Sequence, residues 1–141
     1  MTGASARIRI GPAGENDIEW LFRYDPHIPK RLMREKVARG EVVVARRAGT
    51  AVGLLRYSLF CDWVPFIIFL FVPQRERGRG VGSRLVAFFE RRMRRQRRRI
   101  AMVSSGARRQ AQHFWRTLGY RDAGCLAIPG EPFELLFTKE L

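Results

Sequence analysis

The sequence predicts an α/β (α+β) domain, on three observations. Apolar or alternating stretches of strand length are interleaved with segments whose apolar residues recur at helical spacing. Neither strands nor helices run unbroken along the chain, which excludes a pure sandwich or a pure bundle. The most apolar run is joined to an arginine-rich helical pattern by Val72-Pro73-Gln74-Arg75-Glu76-Arg77-Gly78-Arg79-Gly80-Val81-Gly82-Ser83. With 141 residues, 46% hydrophobic and 28% charged, and with no linker-like or repeated segment, residues 1–141 are expected to form one domain around a single core.

Arg7-Ile8-Arg9-Ile10 alternates and reads as a first strand, ended by Gly11-Pro12. Acidic and capping residues at Glu15-Asn16-Asp17 precede Ile18, Leu21 and Phe22, the stripe of a short helix to Tyr24. Pro26 and Pro29 keep 25–29 out of helix, and a second helix from Pro29 carries Leu32, Met33 and Val37, with Gly40 at its C-cap. Glu41 to Ala45 and Ala51 to Leu59 flank Arg46-Arg47-Ala48-Gly49-Thr50 as an antiparallel hairpin. Pro65 to Val72 is apolar on both faces, which predicts a central strand covered on both sides.

After the glycine stretch, Ser83-Arg84-Leu85-Val86 opens a helix to about Gln96 whose core stripe is Leu85, Phe89 and Met93. Ile100 to Val103 is a short buried strand, Arg108 to Leu118 a helix stopped by Gly119, and Tyr120 to Ala127 and Phe133 to Thr138 two closing strands. Glycines at every second position leave backbone N–H groups uncovered, and a helix start has donors without intrahelical partners; together they make an anion cradle. The dinucleotide and nucleotide-triphosphate loops do not fit: Ser83 stands where G-x-G-x-x-G needs glycine, and no lysine follows these glycines.

The formal net charge is +14, nearly all of the excess arginine. It reads either as attraction to a polyanion or as compositional bias, and bias is the favoured reading. The arginine run from Arg91 to Arg99 has no interleaved aromatics, which favours a solvated face over a nucleic-acid footprint. Met1 to Arg7 lacks an apolar core and the run from Trp63 to Val72 is too short to span a bilayer, so no membrane association and a cytoplasmic location are expected. Cys61 and Cys125, outside any CxxC or Cys/His cluster, are expected to be reduced, packed thiols and to bind no metal.

Arg77-Gly78-Arg79-Gly80-Val81-Gly82 resembles the coenzyme A signature [RQ]-x-x-G-x-[GA] of the GCN5-related N-acetyltransferases (GNAT). Ala111-Gln112-His113-Phe114-Trp115-Arg116-Thr117-Leu118-Gly119-Tyr120 is similar to that family's A-x-x-F-Y-x-x-x-G-[FY] segment, and the element order agrees along the chain. The resemblance implies a mixed, mostly antiparallel sheet of about six or seven strands flanked by about four helices. It implies acetyl-coenzyme A as co-substrate, with the pyrophosphate on Gly78, Gly80, Val81, Gly82 and Ser83 and with charge from Arg77 and Arg79. The pantetheine arm would pair with Leu70, Phe71 and Val72, which splay from the following strand, and Phe114 would pack along its far side.

Two positions depart from the family pattern. Arg108 stands where an asparagine often contacts the arm, and Trp115 where a tyrosine often protonates the departing thiolate; an indole N–H donates a hydrogen bond but not a proton. Ser104, Ser105, Tyr120 or a water would substitute, or the thiolate would leave unassisted. The candidate bases are Asp62, Glu134, and Asp25 with His27, an imidazole being suited to proton removal near neutrality. Asp25, Tyr57, Phe60 and Trp63 are candidates for an acceptor pocket. The expected function is acetyl transfer to a primary amine of a small molecule or peptide in a ternary complex, and homodimers are common in the family. The alternatives are a coenzyme-binding sensor with reduced catalysis and, less favoured, a basic nucleic-acid-binding domain.

Overall fold

The computed structural model describes residues 6–107 and 109–141. The elements follow in the expected order: β1 (Ile8–Pro12), α1 (Ile18–Tyr24, entered through a 3-10 turn at Glu15–Asp17), α2 (Lys30–Ala38), β2 (Val42–Arg47), β3 (Thr50–Phe60), β4 (Val64–Phe71), α3 (Val81–Arg95), β5 (Ile100–Gly106), α4 (Ala111–Thr117), β6 (Arg121–Leu126) and β7 (Glu134–Glu140). The strands form a mixed seven-stranded sheet in the order β1-β2-β3-β4-β5-β7-β6, with β4 and β5 parallel. The chain groups into two compact units, one of residues up to Arg56 with Phe69–Phe89, the other of Tyr57–Ile68 with Glu90–Leu141.

In the first unit, Ile18, Leu21 and Met33 from the two short helices pack on Val42, Val44 and Leu54 of β2 and β3, with Trp20, Tyr24, Phe69 and Phe71 around them. Each such buried side chain contributes about 1.5–3 kcal/mol, which short helices need because propensity alone does not hold them. The β2–β3 hairpin closes through Ala48 and Gly49, both left-handed at φ 49 and 80, the two-residue turn that matches strand twist. On β3, a Cβ added to Gly53 would lie 3.0 Å from both Leu85 Cδ1 and Val81 Cγ1. A larger residue there would push against the first turns of α3, so this glycine lets the helix start sit close to the sheet.

In the second unit, β5 pairs antiparallel with β7 from Ile100↔Glu140 to Gly106↔Glu134, and in parallel with β4 at Phe66↔Met102 and Ile67↔Val103. Ala101, Val103, Trp115, Tyr120 and Phe137 are buried. The edge strand β6 is exposed along its length, and its Asp122 holds Arg116 of α4 through two hydrogen bonds of 2.9 Å.

Three expectations need correction. The helix after the glycines begins at Val81, not at Ser83, because Gly80 at φ 79 ends the loop and its carbonyl already accepts from Arg84 N–H at 3.1 Å. β4 is the central strand, but only Val64, Pro65 and Ile67 are buried, while Ile68 is 42% exposed and Phe69 to Phe71 are half-buried. Cys61 and Cys125 are free as expected but exposed, not packed: one sits in the turn before β4, the other on the edge strand.

Candidate functional site

The glycine stretch leaves β4 at Val72 and makes a 3-10 turn, Gln74–Glu76, after Pro73. Arg77 Nε donates to the Val72 carbonyl at 2.8 Å, and its guanidinium stands 6.0 Å from the Phe71 ring. Arg77 therefore fastens the loop to the strand end as well as bringing charge. Gly78 (φ 73) and Gly80 (φ 79) follow, both left-handed, and a Cβ built on either meets no heavy atom within 4 Å. The backbone here is bare and the space over it open. Directly behind them α3 opens, and the N–H groups of Val81, Gly82 and Ser83 have no carbonyl four residues back inside the helix. A helix of fifteen residues adds its positive dipole end at the same place.

Charge gathers around this loop from distant sequence. Glu76 accepts from Arg47 Nη2 at 3.3 Å and lies 3.8 Å from Arg79 Nη1, while Arg84 Nη2 donates to the Ile8 carbonyl at 3.2 Å. A cleft of about 470 Å³ is lined by Ala6, Arg7, Ile8, Arg47, Arg79 and Arg84. Four arginines and one carboxylate make the surroundings strongly cationic, which suits a polyphosphate group. Arg47 and Arg84 were not among the residues singled out from sequence; Arg47 ends β2 in a segment that reads as a hairpin connection and Arg84 precedes an arginine run, so neither carried a local signal.

Of the expected acceptor-side residues in the same unit, Asp25 is fully buried and its carboxylate accepts from Arg56 Nε at 2.6 Å and Nη2 at 3.3 Å. Arg56 is itself 5% exposed, so this pair is internal. His27, two residues on, is exposed, with its ring 5.2 Å from that of Phe69 on β4. The α1–α2 loop thus sets an imidazole against the strand residue next to Leu70.

In the second unit, Trp115 is 4% exposed and packs edge-on against Phe114 at 5.0 Å and Tyr120 at 5.4 Å. Its place is an aromatic cluster. The Tyr120 hydroxyl is buried without a hydrogen-bond partner of good geometry, and burial, followed by the negative charge of Glu90, pushes the phenol well above its ordinary value. A phenol held neutral this firmly is a poor proton donor. Lys139 Nζ reaches both Glu90 oxygens at 3.0 Å and stands 5.7 Å from the Tyr120 ring. The Ser105 hydroxyl is buried and unpartnered, whereas Ser104 is half-buried. Glu134 is half-buried opposite Gly106 at the end of β5, and Tyr57 is buried. Asp62 and Trp63 are exposed in the turn before β4, at the strand end opposite to Leu70–Val72. Arg108 lies outside the described residues, and among those described no group of His, Cys, Asp and Glu could hold a metal ion.

A left-handed glycine pair running into the start of a long helix just after the central strand is the arrangement the coenzyme signature implies, and the model of the Acetyltransferase (GNAT) family matches residues 14–120. The chain belongs to that family.

Solved structures agree on the fold. The acetyltransferase chain superposes on Ard1 from Thermoplasma volcanium with a TM-score of 0.84, at 19% identity over 95% of this chain and 97% of that one. It matches a ribosomal-protein-alanine N-acetyltransferase from Brucella melitensis with a TM-score of 0.81, at 19% identity over 94% and 99%. PaiA N-acetyltransferase from Thermoplasma acidophilum, in complex with coenzyme A, gives a TM-score of 0.79 at 12% identity over 96% and 99%. No curated protein matches the chain in sequence. Among the described residues no helix of this family member is long and apolar enough to cross a membrane.

Proposed function

We propose that the chain is an acetyl-coenzyme A-dependent N-acetyltransferase, acting as one domain over residues 1–141, that acetylates a primary amine of a small molecule or peptide by direct attack in a ternary complex. The observation that carries this reading is the start of α3 at Val81, immediately behind Gly78 and Gly80. The N–H groups of Val81, Gly82 and Ser83 hold the pyrophosphate, with charge from Arg79 and the neighbouring arginines. The backbone of Leu70 to Val72 receives the pantetheine arm as an added strand. The coenzyme A complex of the PaiA neighbour supports the donor, and the name of the Brucella melitensis neighbour supports a peptide acceptor.

His27 is the base this reading selects, because it is exposed and set against Phe69. It accepts the amine proton as the new C–N bond forms and the thioester C–S bond breaks. With Trp115 in the core and Tyr120 held neutral, the coenzyme thiolate departs without a side-chain acid. That same pair of burials favours the second reading, a coenzyme-sensing module without turnover.

Thiol release from acetyl-coenzyme A against a panel of amino-acid amides, peptides, polyamines and aminoglycosides tests the reading. The enzyme reading predicts acceptor-dependent thiol release that falls about a hundredfold in His27→Gln, within the range for loss of a general base. Silence across the panel, with acetyl-coenzyme A still raising the melting temperature, would leave the sensor reading standing and the enzyme reading refuted.

A further inference from the structure

The arginines at the end of α3 lack aromatic company in sequence, but the fold supplies it. Trp63, in the turn before β4, is 56% exposed, and its carbonyl accepts from Arg98 Nη1 at 2.9 Å. That bond ties the hairpin turn to the α3–β5 turn. A cleft of about 230 Å³ is lined by Trp63, Pro65, Arg97, Arg98, Arg99 and Ile100. Phe60, at 48% exposure, lies on the same hairpin end.

Arg97 is held left-handed at φ 60, with Arg98 N–H reaching back to the Met93 carbonyl at 2.9 Å and Arg97 N–H to that of Arg94 at 2.9 Å. This is a Schellman-type helix end, whose left-handed position glycine normally occupies. The chain places an exposed arginine there instead. Cations do suit a helix C-terminus, but the effect fades within the last turn. Arg91 to Arg99 carries arginine everywhere except Met93 and Gln96, with no acid among them, far more charge than the dipole requires.

We infer that this face binds single-stranded nucleic acid, with a base stacked on Trp63 and backbone phosphates on Arg97, Arg99 and the exposed arginines of the last turns of α3. An exposed indole beside exposed guanidinium groups is a stacking platform within a cationic track, the pairing that sequence-tolerant single-strand binders use. It gives the +14 charge a partner beyond the coenzyme. The site shares no residue with the donor loop, so it stands or falls independently of the acetyltransferase reading.

The test is fluorescence anisotropy of a labelled oligouridylate of about 12 nucleotides, a length within the span of known single-strand sites, titrated with the full chain at low and rising salt. Binding is expected to weaken with salt, and the salt slope to fall by about 0.7 for each of Arg97→Asn and Arg99→Gln. Trp63→Ala is expected to cost roughly tenfold to a hundredfold in affinity, with Trp63→Phe recovering part of it. Matched melting temperatures confirm that the exposed-site variants fold, and Trp63→Phe serves as the packing-conservative check. The inference is overturned by no binding at low salt, by binding indifferent to Trp63→Ala and to both arginine changes, or by association with anionic phosphatidylserine vesicles but not with the oligonucleotide.

Discussion

Gly80→Asp should remove the thermal stabilisation that acetyl-coenzyme A confers while leaving the unliganded protein folded. Gly80 is left-handed at φ 79 and its missing Cβ faces open space, so the new side chain meets no protein atom. Aspartate tolerates this backbone better than most residues, and the folded state survives. What changes is charge at the mouth of the cradle. A carboxylate about 4 Å from a phosphate costs about 4 kcal/mol at an effective dielectric of 20. Screening in an exposed loop reduces this, leaving roughly a hundredfold weaker binding. Gly80→Asn is the control: it has the same shape and backbone tolerance without the charge, and should cost less than about tenfold. Titration calorimetry of the two variants separates strain from electrostatics. Equal losses would mean that the loop acts by shape alone.

Asp25→Ala should destabilise the fold by about 3–5 kcal/mol, the cost of leaving a buried charge without its partner. The Asp25 carboxylate is fully buried and takes two hydrogen bonds from Arg56, itself 5% exposed, across the end of α1 to β3. Removing the acid strands a guanidinium that the core cannot solvate. Against a typical total of about 5–15 kcal/mol this is a large fraction, visible in urea unfolding as a lower midpoint at similar slope. Replacing both residues by leucine should recover much of the loss, because apolar replacement of a buried pair is often close to neutral. A loss below about 1 kcal/mol in Asp25→Ala would show that water reaches Arg56. Since Asp25 lies two residues before His27, its bonds to Arg56 also anchor the loop that carries the proposed base.

The order and type of the main elements were legible because each carries its own local signal: helical stripes at Leu21 and Met33, the Ala48–Gly49 turn, the apolar run of β4, and the glycines before α3. The coenzyme cradle was legible for the same reason, since its residues are contiguous and its chemistry is backbone chemistry. Pairings between distant residues were not. Nothing in sequence links Asp25 to Arg56, Arg47 to Glu76, or Trp63 to Arg98, because each pair is made by strand register and helix packing. Asp25 read as a candidate base and acceptor-pocket residue for this reason. The start of α3 was misplaced by two residues because Gly82, a poor helix former, falls inside the first turn, where no intrahelical N–H bond is at stake. The cysteines read as packed because thiols usually are, whereas a turn and an edge strand expose these two.

The central claim is that the cradle holds the donor, and a crystal structure of the chain with acetyl-coenzyme A tests it most directly. The account predicts pyrophosphate oxygens within about 2.7–3.2 Å of the N–H groups of Val81, Gly82 and Ser83, and pantetheine amides bonded to the backbone of Leu70 to Val72. Coenzyme bound away from Gly78 to Ser83, or no coenzyme at saturating concentration, would contradict it.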